Sequence, residues 1–163
     1  MLSFCGQDKT SIDSSGRIKL SSRVLSDFMG NGGYDVVLHC LPEGAIAVYP
    51  EAIYLKMRSN EINPAEKAGE SLVYRRTMRR FGAMTQSQCI STQGRITIPN
   101  SFRECAEIKA NEEIVVVGCE IGIEIWNAEK WNKELSIINK HAHEKGENEM
   151  EEDLAYKTIE TNI

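Results

Sequence analysis

The chain has 163 residues, of which 41% are apolar and 26% charged, the balance of one soluble domain or of two small units that share a core. No run approaches the roughly 18 uninterrupted apolar residues that a bilayer crossing needs, which argues against a membrane partner. The net charge of -5 argues against nucleic acid only until it is located: residues 140–163 hold seven acids and three bases, a net of -4, so residues 1–139 carry only -1 and leave room for a local basic patch.

In chain order, the opening Met1-Leu2-Ser3-Phe4-Cys5-Gly6-Gln7-Asp8 lacks the basic and apolar regions of a secretory leader, so a cytoplasmic protein is expected. The segment Ile12-Asp13-Ser14-Ser15-Gly16-Arg17-Ile18-Lys19-Leu20 follows, and it returns 78 residues later as Ile90-Ser91-Thr92-Gln93-Gly94-Arg95-Ile96-Thr97-Ile98. Ile18 and Leu20, like Ile96 and Ile98, alternate with polar residues at the period of a half-buried strand. Ser21 or Ser22 can cap a short helix toward Phe28, and Gly30-Asn31-Gly32-Gly33 ends it. Pro42-Glu43-Gly44 marks a hairpin between two apolar runs, and Pro50 suits the first turn of a helix.

Residues 64–81 read as one connecting helix bearing Arg75, Arg76, Arg79 and Arg80. In the second copy Asn100 or Ser101 is the expected cap, and the apolar runs at Glu113-Ile114-Val115-Val116 and Ile123-Glu124-Ile125-Trp126 match those of the first. Asn127 can cap a closing helix with Trp131, Leu135 and Ile138 along one stripe. Each copy therefore reads as strand, Gly-Arg turn, strand, short helix, hairpin and closing helix. At about 45 residues neither copy buries enough surface alone, so the two are expected to join in one barrel-like core. Beyond residue 139 the composition is polar and acidic, and no fixed structure is expected.

The chemistry of the repeated turn points to anion recognition. Gly16 and Gly94 supply the positive φ of a tight turn, Asp13 can accept the turn amides, and Arg17 and Arg95 follow the glycines directly. Such an arginine is either a plain exposed turn residue or one that grips a phosphate or the O6 and N7 edge of guanine. Turn geometry requires the glycine but not the arginine, so its repetition favours the second reading. The arginines at 75, 76, 79 and 80 either run along a nucleic-acid backbone or pair with Glu61, Glu66, Glu70 or a neighbouring subunit's acids.

Catalytic constellations are lacking. His39 lies inside an apolar strand, His141 and His143 lie in the polar tail, and no nucleophile, Walker or dinucleotide motif occurs. The five scattered cysteines (Cys5, Cys40, Cys89, Cys105, Cys119) form no Cys-x-x-Cys pair, which favours reduced thiols over disulfides or zinc. Neither an enzyme nor a protein with a metal, cofactor or small-molecule substrate is expected.

Taken together, Ile12-Asp13-x-x-Gly16-Arg17, Gly94-Arg95-x-x-Ile98-Pro99, Val48-Tyr49-Pro50 and Glu124-Ile125-Trp126-Asn127-Ala128-Glu129-x-Trp131 resemble the MraZ family, bacterial regulators with two tandem SpoVT-AbrB-type domains. The resemblance spans about residues 1–137. It implies an α+β, mainly β fold in which the two repeats form a shared swapped-hairpin β-barrel with short peripheral helices. Repeat 1 would span residues 7–53 and repeat 2 residues 83–128, joined by a helical segment at 54–82, with a closing helix at 129–139 and a disordered acidic tail at 140–163.

The resemblance also implies a ring-like homo-oligomer on the nucleoid that binds double-stranded promoter DNA and represses the division and cell-wall gene cluster. Its Asp-x-x-x-Arg motif carries over to Asp13 and Arg17, and its arginine alone to Arg95, with Lys19 a further candidate contact. Ser91 stands where the family has aspartate and leaves Arg95 without a carboxylate neighbour, while Ser21 stands where the second copy keeps Pro99. The alternative reading is an oligomeric protein-interaction or antitoxin-like module with weak or no DNA binding. Binding to the DNA upstream of its own gene separates the two.

Overall fold

Short alternating and apolar runs become strands, and the Ser-, Gly- and Pro-marked segments between them become turns and short helices, in a computed structural model that describes residues 2–60 and 62–161. The order is β1 (Gln7–Ser11), β2 (Arg17–Lys19), α1 (Ser22–Gly30), β3 (Asp35–Cys40), β4 (Ile46–Pro50), α2 (Glu51–Arg58), α3 (Pro64–Glu70) and α4 (Leu72–Ala83). Then come β5 (Thr85–Cys89), β6 (Arg95–Thr97), α5 (Asn100–Cys105), β7 (Glu113–Gly118), β8 (Ile123–Asn127) and α6 (Ala128–Thr161). The chain divides into two units, Met1–Ala128 and Glu129–Ile163.

Six strands of the first unit form an antiparallel sheet in the order β1-β7-β8-β4-β3-β5. Strand β1 pairs with β7, from Gln7 opposite Val117 to Ser11 opposite Glu113, while β5 pairs with β3 and β4 with β8. The remaining strands, β2 and β6, pair only with each other and form a separate ribbon. The fold is α+β, as expected. The sheet is open, with β1 and β5 at its edges, so among the described residues no pairing closes it into the expected barrel. Polarity explains which strands lie outermost: β1 reads Gln-Asp-Lys-Thr-Ser and β5 Thr-Gln-Ser-Gln-Cys, whereas all of Ile46–Pro50 is buried.

The core draws on both sequence repeats. Ile12, Ile18, Leu20 and Phe28 pack in one cluster with Ile90, Ile96, Ile98 and Phe102, joined by Leu38, Ile46, Ile114 and Ile125 from the sheet. Full burial of each such side chain contributes about 1.5–3 kcal/mol of transfer free energy. Helix α1 is capped as expected, Ser21 Oγ accepting from the Val24 amide at 3.4 Å. The turn at residues 42–44 is also as expected, with Leu41 N donating to Ala45 O at 2.8 Å.

Two local expectations are corrected, at α5 and in the connecting segment. Helix α5 is preceded by Pro99 without a side-chain cap, because Asn100 donates instead to Glu104 Oε1 at 2.9 Å. Asn127 ends β8 directly before α6, and its side-chain amide donates to Glu107 O at 2.7 Å. The connecting helix at 64–81 is two helices, broken at Ser71, whose extended backbone lets its Oγ accept from Tyr74 N at 3.1 Å and start α4.

His39 is buried in β3, with Nδ1 2.8 Å from Thr85 Oγ1 and its ring stacked on Phe81 at 5.2 Å. Burial first, then the charges of Arg80 and Arg58, holds its pKa below the ordinary 6.5.

In the second unit, helix α6 continues to Thr161, where no fixed structure was expected beyond residue 139. Its polar length carries i,i+4 pairs that support a helix without an apolar stripe, Lys140–Glu144 at 3.8 Å and His143–Glu147 at 3.0 Å. Residues 162 and 163 of that segment lie outside the described residues. Among the described residues no helix is long and apolar enough to cross a membrane.

Candidate nucleic-acid interface

The first Gly-Arg turn is built from its own side chains. Asp13 N donates to Arg17 O at 3.0 Å and Gly16 N to Asp13 O at 3.1 Å, which closes the loop. Asp13 Oδ1 accepts from the amides of Ser15 and Arg17, both at 2.9 Å, and Oδ2 lies 3.2 Å from Arg17 Nε. The Arg17 amide, more than any other group, holds the Asp13 carboxyl below its ordinary value, with the Ser15 amide and the guanidinium adding to it. Gly16 has φ +78°, and a Cβ there would lie 3.0 Å from Ile98 O and 3.1 Å from the Arg103 guanidinium.

The second turn repeats the backbone and changes the side chain. Ser91 N donates to Arg95 O at 2.9 Å, Gly94 N to Ser91 O at 2.8 Å, and Ser91 Oγ accepts from Arg95 N at 3.0 Å. Serine thus replaces one of the aspartate's roles, fastening the turn, and not the other. Arg95 pairs with no carboxylate among the described residues, whereas Arg17 is held by Asp13.

Neither arginine ends an isolated hairpin. Each opens one strand of the β2–β6 ribbon, where Arg17 faces Thr97, Ile18 faces Ile96 and Lys19 faces Arg95. Opposed residues of an antiparallel pair share a face. The inner face is Ile18 and Ile96, buried to 0% and 1% exposure, and the outer, exposed face is Arg17, Lys19, Arg95 and Thr97. The two turns also interlock across the ribbon: Leu20 N donates to Gly94 O at 2.9 Å, Ile98 N to Gly16 O at 2.7 Å, and Lys19 Nζ to Gln93 O.

Lys19 directly opposite Arg95 is an unfavourable like-charge pair, and no carboxylate among the described residues offsets it. An anion laid across the ribbon would. Sequence spacing alone does not reveal this juxtaposition, since each Gly-Arg segment reads as its own hairpin until β2 and β6 are seen to pair.

The basic helix contributes less charge than its composition implies. Arg75 Nη1 donates to Ala68 O at 2.9 Å and Arg80 Nη2 to Cys40 O at 2.6 Å, so both are spent on backbone carbonyls. Arg76 and Arg79 are exposed on α4. Among the described residues no ion pair joins the four to Glu66 or Glu70, and Glu61 lies outside the described residues. Arg103, absent from the sequence expectations, packs against Gly16 and donates from Nε to Ile98 O at 3.1 Å. Its position on α5 carries no motif that would have marked it. No cluster of His, Cys, Asp or Glu able to hold a metal occurs among the described residues.

The chain is similar to known proteins over most of its length. The family model described as "MraZ protein, putative antitoxin-like" matches residues 83–153. Over 133 residues the chain is 33% identical to the transcriptional regulator MraZ of Halothermothrix orenii, covering 78% of this chain and 83% of the relative. The transcriptional regulator MraZ of Desulforamulus reducens is 32% identical over 136 residues, 80% of this chain and 85% of its own length. That of Finegoldia magna is 31% identical over 126 residues, with 75% and 79% covered. With a third of the aligned residues identical to a relative of which it covers 83%, and with both Gly-Arg turns in place, the chain belongs to the MraZ family.

Proposed function

We propose that this protein is a sequence-specific DNA-binding transcriptional regulator that represses the division and cell-wall gene cluster. The observation that carries this reading is the outer face of the β2–β6 ribbon, where Arg17, Lys19 and Arg95 stand exposed over a fully buried floor. A two-stranded ribbon fits the major groove of a duplex, and a guanidinium matches the O6 and N7 edge of guanine or a phosphate. The names of the relatives support the same class of activity.

Asp13, Arg17, Lys19 and Arg95 are the DNA-contacting set, with Gly16 and Gly94 shaping the turns. Arg76 and Arg79 are secondary phosphate contacts, and Arg75 and Arg80 hold structure instead, a narrower assignment than the sequence reading made. The two repeats are equivalent halves that exchange their opening strands, a reading supported by the sheet order β1-β7-β8-β4-β3-β5, which is unchanged when the halves are interchanged. Copies of the chain assemble into a nucleoid-associated homo-oligomer, supported by exposed Leu55, Leu72 and Val73 on α2 and α4. Several weak ribbons then act together on one duplex.

Titration of the purified protein on the DNA upstream of its own gene and on a scrambled duplex, across a salt series, tests the reading. Tighter binding to the upstream sequence, falling with salt on both, is the expected result. Equal and negligible binding to both duplexes would leave the protein-interaction module as the function.

A further inference from the structure

Beside the ribbon lies a cleft of about 420 Å³ between β1 and the start of α1, lined by Lys9, Lys19, Ser22 and Leu25 among others. Its floor is apolar, from Leu20, Leu25 and Val116. Asp8, its one acid, is already engaged: Oδ2 accepts from Arg23 Nη2 at 2.9 Å and from Ser21 Oγ at 3.1 Å. Lys9 is exposed, stands opposite Val115 in the sheet and has no ion pair among the described residues. Lys19 belongs to cleft and ribbon alike, so Arg95, Lys19 and Lys9 form a run of cations from the second turn to the sheet edge. At the repeat's offset Ser87 and Thr97 stand in place of Lys9 and Lys19, so the other half lacks this cation pair.

We infer that this cleft seats a backbone phosphate of the bound duplex and that Lys9 is an additional, sequence-independent DNA contact, an inference that rests on the DNA-binding reading above. The ligand is a duplex phosphate because the cleft continues the exposed cationic face of the ribbon through their shared residue, Lys19. A phosphate there would meet two ammonium groups and no free carboxylate. The one-sided placement also ties the duplex more tightly to the second turn, whose arginine lacks a carboxylate partner.

Lys9→Gln, Lys9→Arg and Arg95→Ala, compared with the parent on specific and scrambled duplexes over a salt series, test the inference. An edge-strand lysine also discourages strand addition by another chain, so sedimentation and thermal melting of each variant accompany the titrations. Lys9→Gln should weaken binding to both duplexes equally, by roughly threefold to tenfold, and lower the salt slope by about one per engaged subunit. Lys9→Arg should bind like the parent. If Arg95→Ala weakens binding while Lys9→Gln keeps the parent's affinity and slope, the cleft inference fails and the ribbon reading stands. If neither variant changes binding, both fail. Loss of inorganic-phosphate binding by Lys9→Gln with unchanged duplex binding would also overturn it, since the cleft would then hold a free anion.

Discussion

Asp13 and Ser91 occupy the same place in two turns of nearly identical backbone, and the difference between them is chemical. Both fasten the turn by accepting the amide four residues on, at 2.9 and 3.0 Å. Only Asp13 adds a charge that holds the following arginine. The carboxyl's folded pKa is lowered, so its contribution to the turn is present above the ordinary value of 3.8 and is lost as pH falls through the lower folded value. NMR titration should therefore give Asp13 a midpoint below 3.8, with the Arg17 amide shifting over the same range and the Arg95 amide unmoved. A midpoint at or above 3.8 would show that the turn does not hold the ionised form. The turn residues were legible in the sequence because glycine at positive φ and aspartate before it are local requirements. The loss of Arg75 and Arg80 to carbonyls was not legible, because Cys40 O lies 40 positions away in sequence from the guanidinium it receives.

At the scale of elements, the strands and the 42–44 hairpin follow from alternation and turn chemistry. Which strands pair does not. A three-residue run such as Arg17–Lys19 specifies a strand face and not a partner, and the pairing of β2 with β6 is set by Ile18 and Ile96 closing one core. The Ser71 break was hidden for a different reason, since serine is tolerated within helices and only its capping bond to Tyr74 marks a start. The continuation of α6 beyond residue 139 escaped notice because its support comes from i,i+4 pairs rather than an apolar stripe.

Strand β3, helix α4 and the Thr85 end of β5 meet at His39, where burial and the neighbouring Arg80 and Arg58 favour the neutral ring, while Glu43 and the Met84 backbone act the other way. With the folded pKa lowered, the unfolded chain takes up the proton first, so stability is full above about 6.5 and declines as pH falls through the folded value. Thermal melting should show Tm falling below pH 6.5 in the parent and less so in His39→Phe. An identical pH dependence in both would remove His39 as its source.

The molecule as a whole pairs a folded unit of nearly neutral charge with an acidic helix. The first unit, through Ala128, contains the ribbon, the sheet and the core cluster, so removing residues 141–163 should leave it folded. The truncation removes seven acids against two bases, Lys145 and Lys157, a net change of +5. DNA binding should strengthen, most at low salt, where long-range repulsion is least screened. A truncated protein that unfolds or binds less well would show that the acidic helix supports the fold or the interface.

The proposed function requires the ribbon's arginines to meet DNA, and Arg17→Ala and Arg95→Ala probe this with little loss of packing, since both side chains are exposed. A base-edge contact contributes roughly 1–3 kcal/mol of discrimination, and a phosphate contact contributes about one unit of salt slope. In an oligomer each loss recurs in every engaged subunit. Binding of both variants to the upstream DNA and to a scrambled duplex, over several salt concentrations, is the decisive measurement. Arg17→Ala should lose preference for the upstream sequence, because Asp13 orients that side chain, and Arg95→Ala should weaken binding to both duplexes and flatten the salt slope. Two folded variants that bind both duplexes as the parent does would remove the ribbon as the DNA-contacting surface and turn attention to Arg76 and Arg79 on α4.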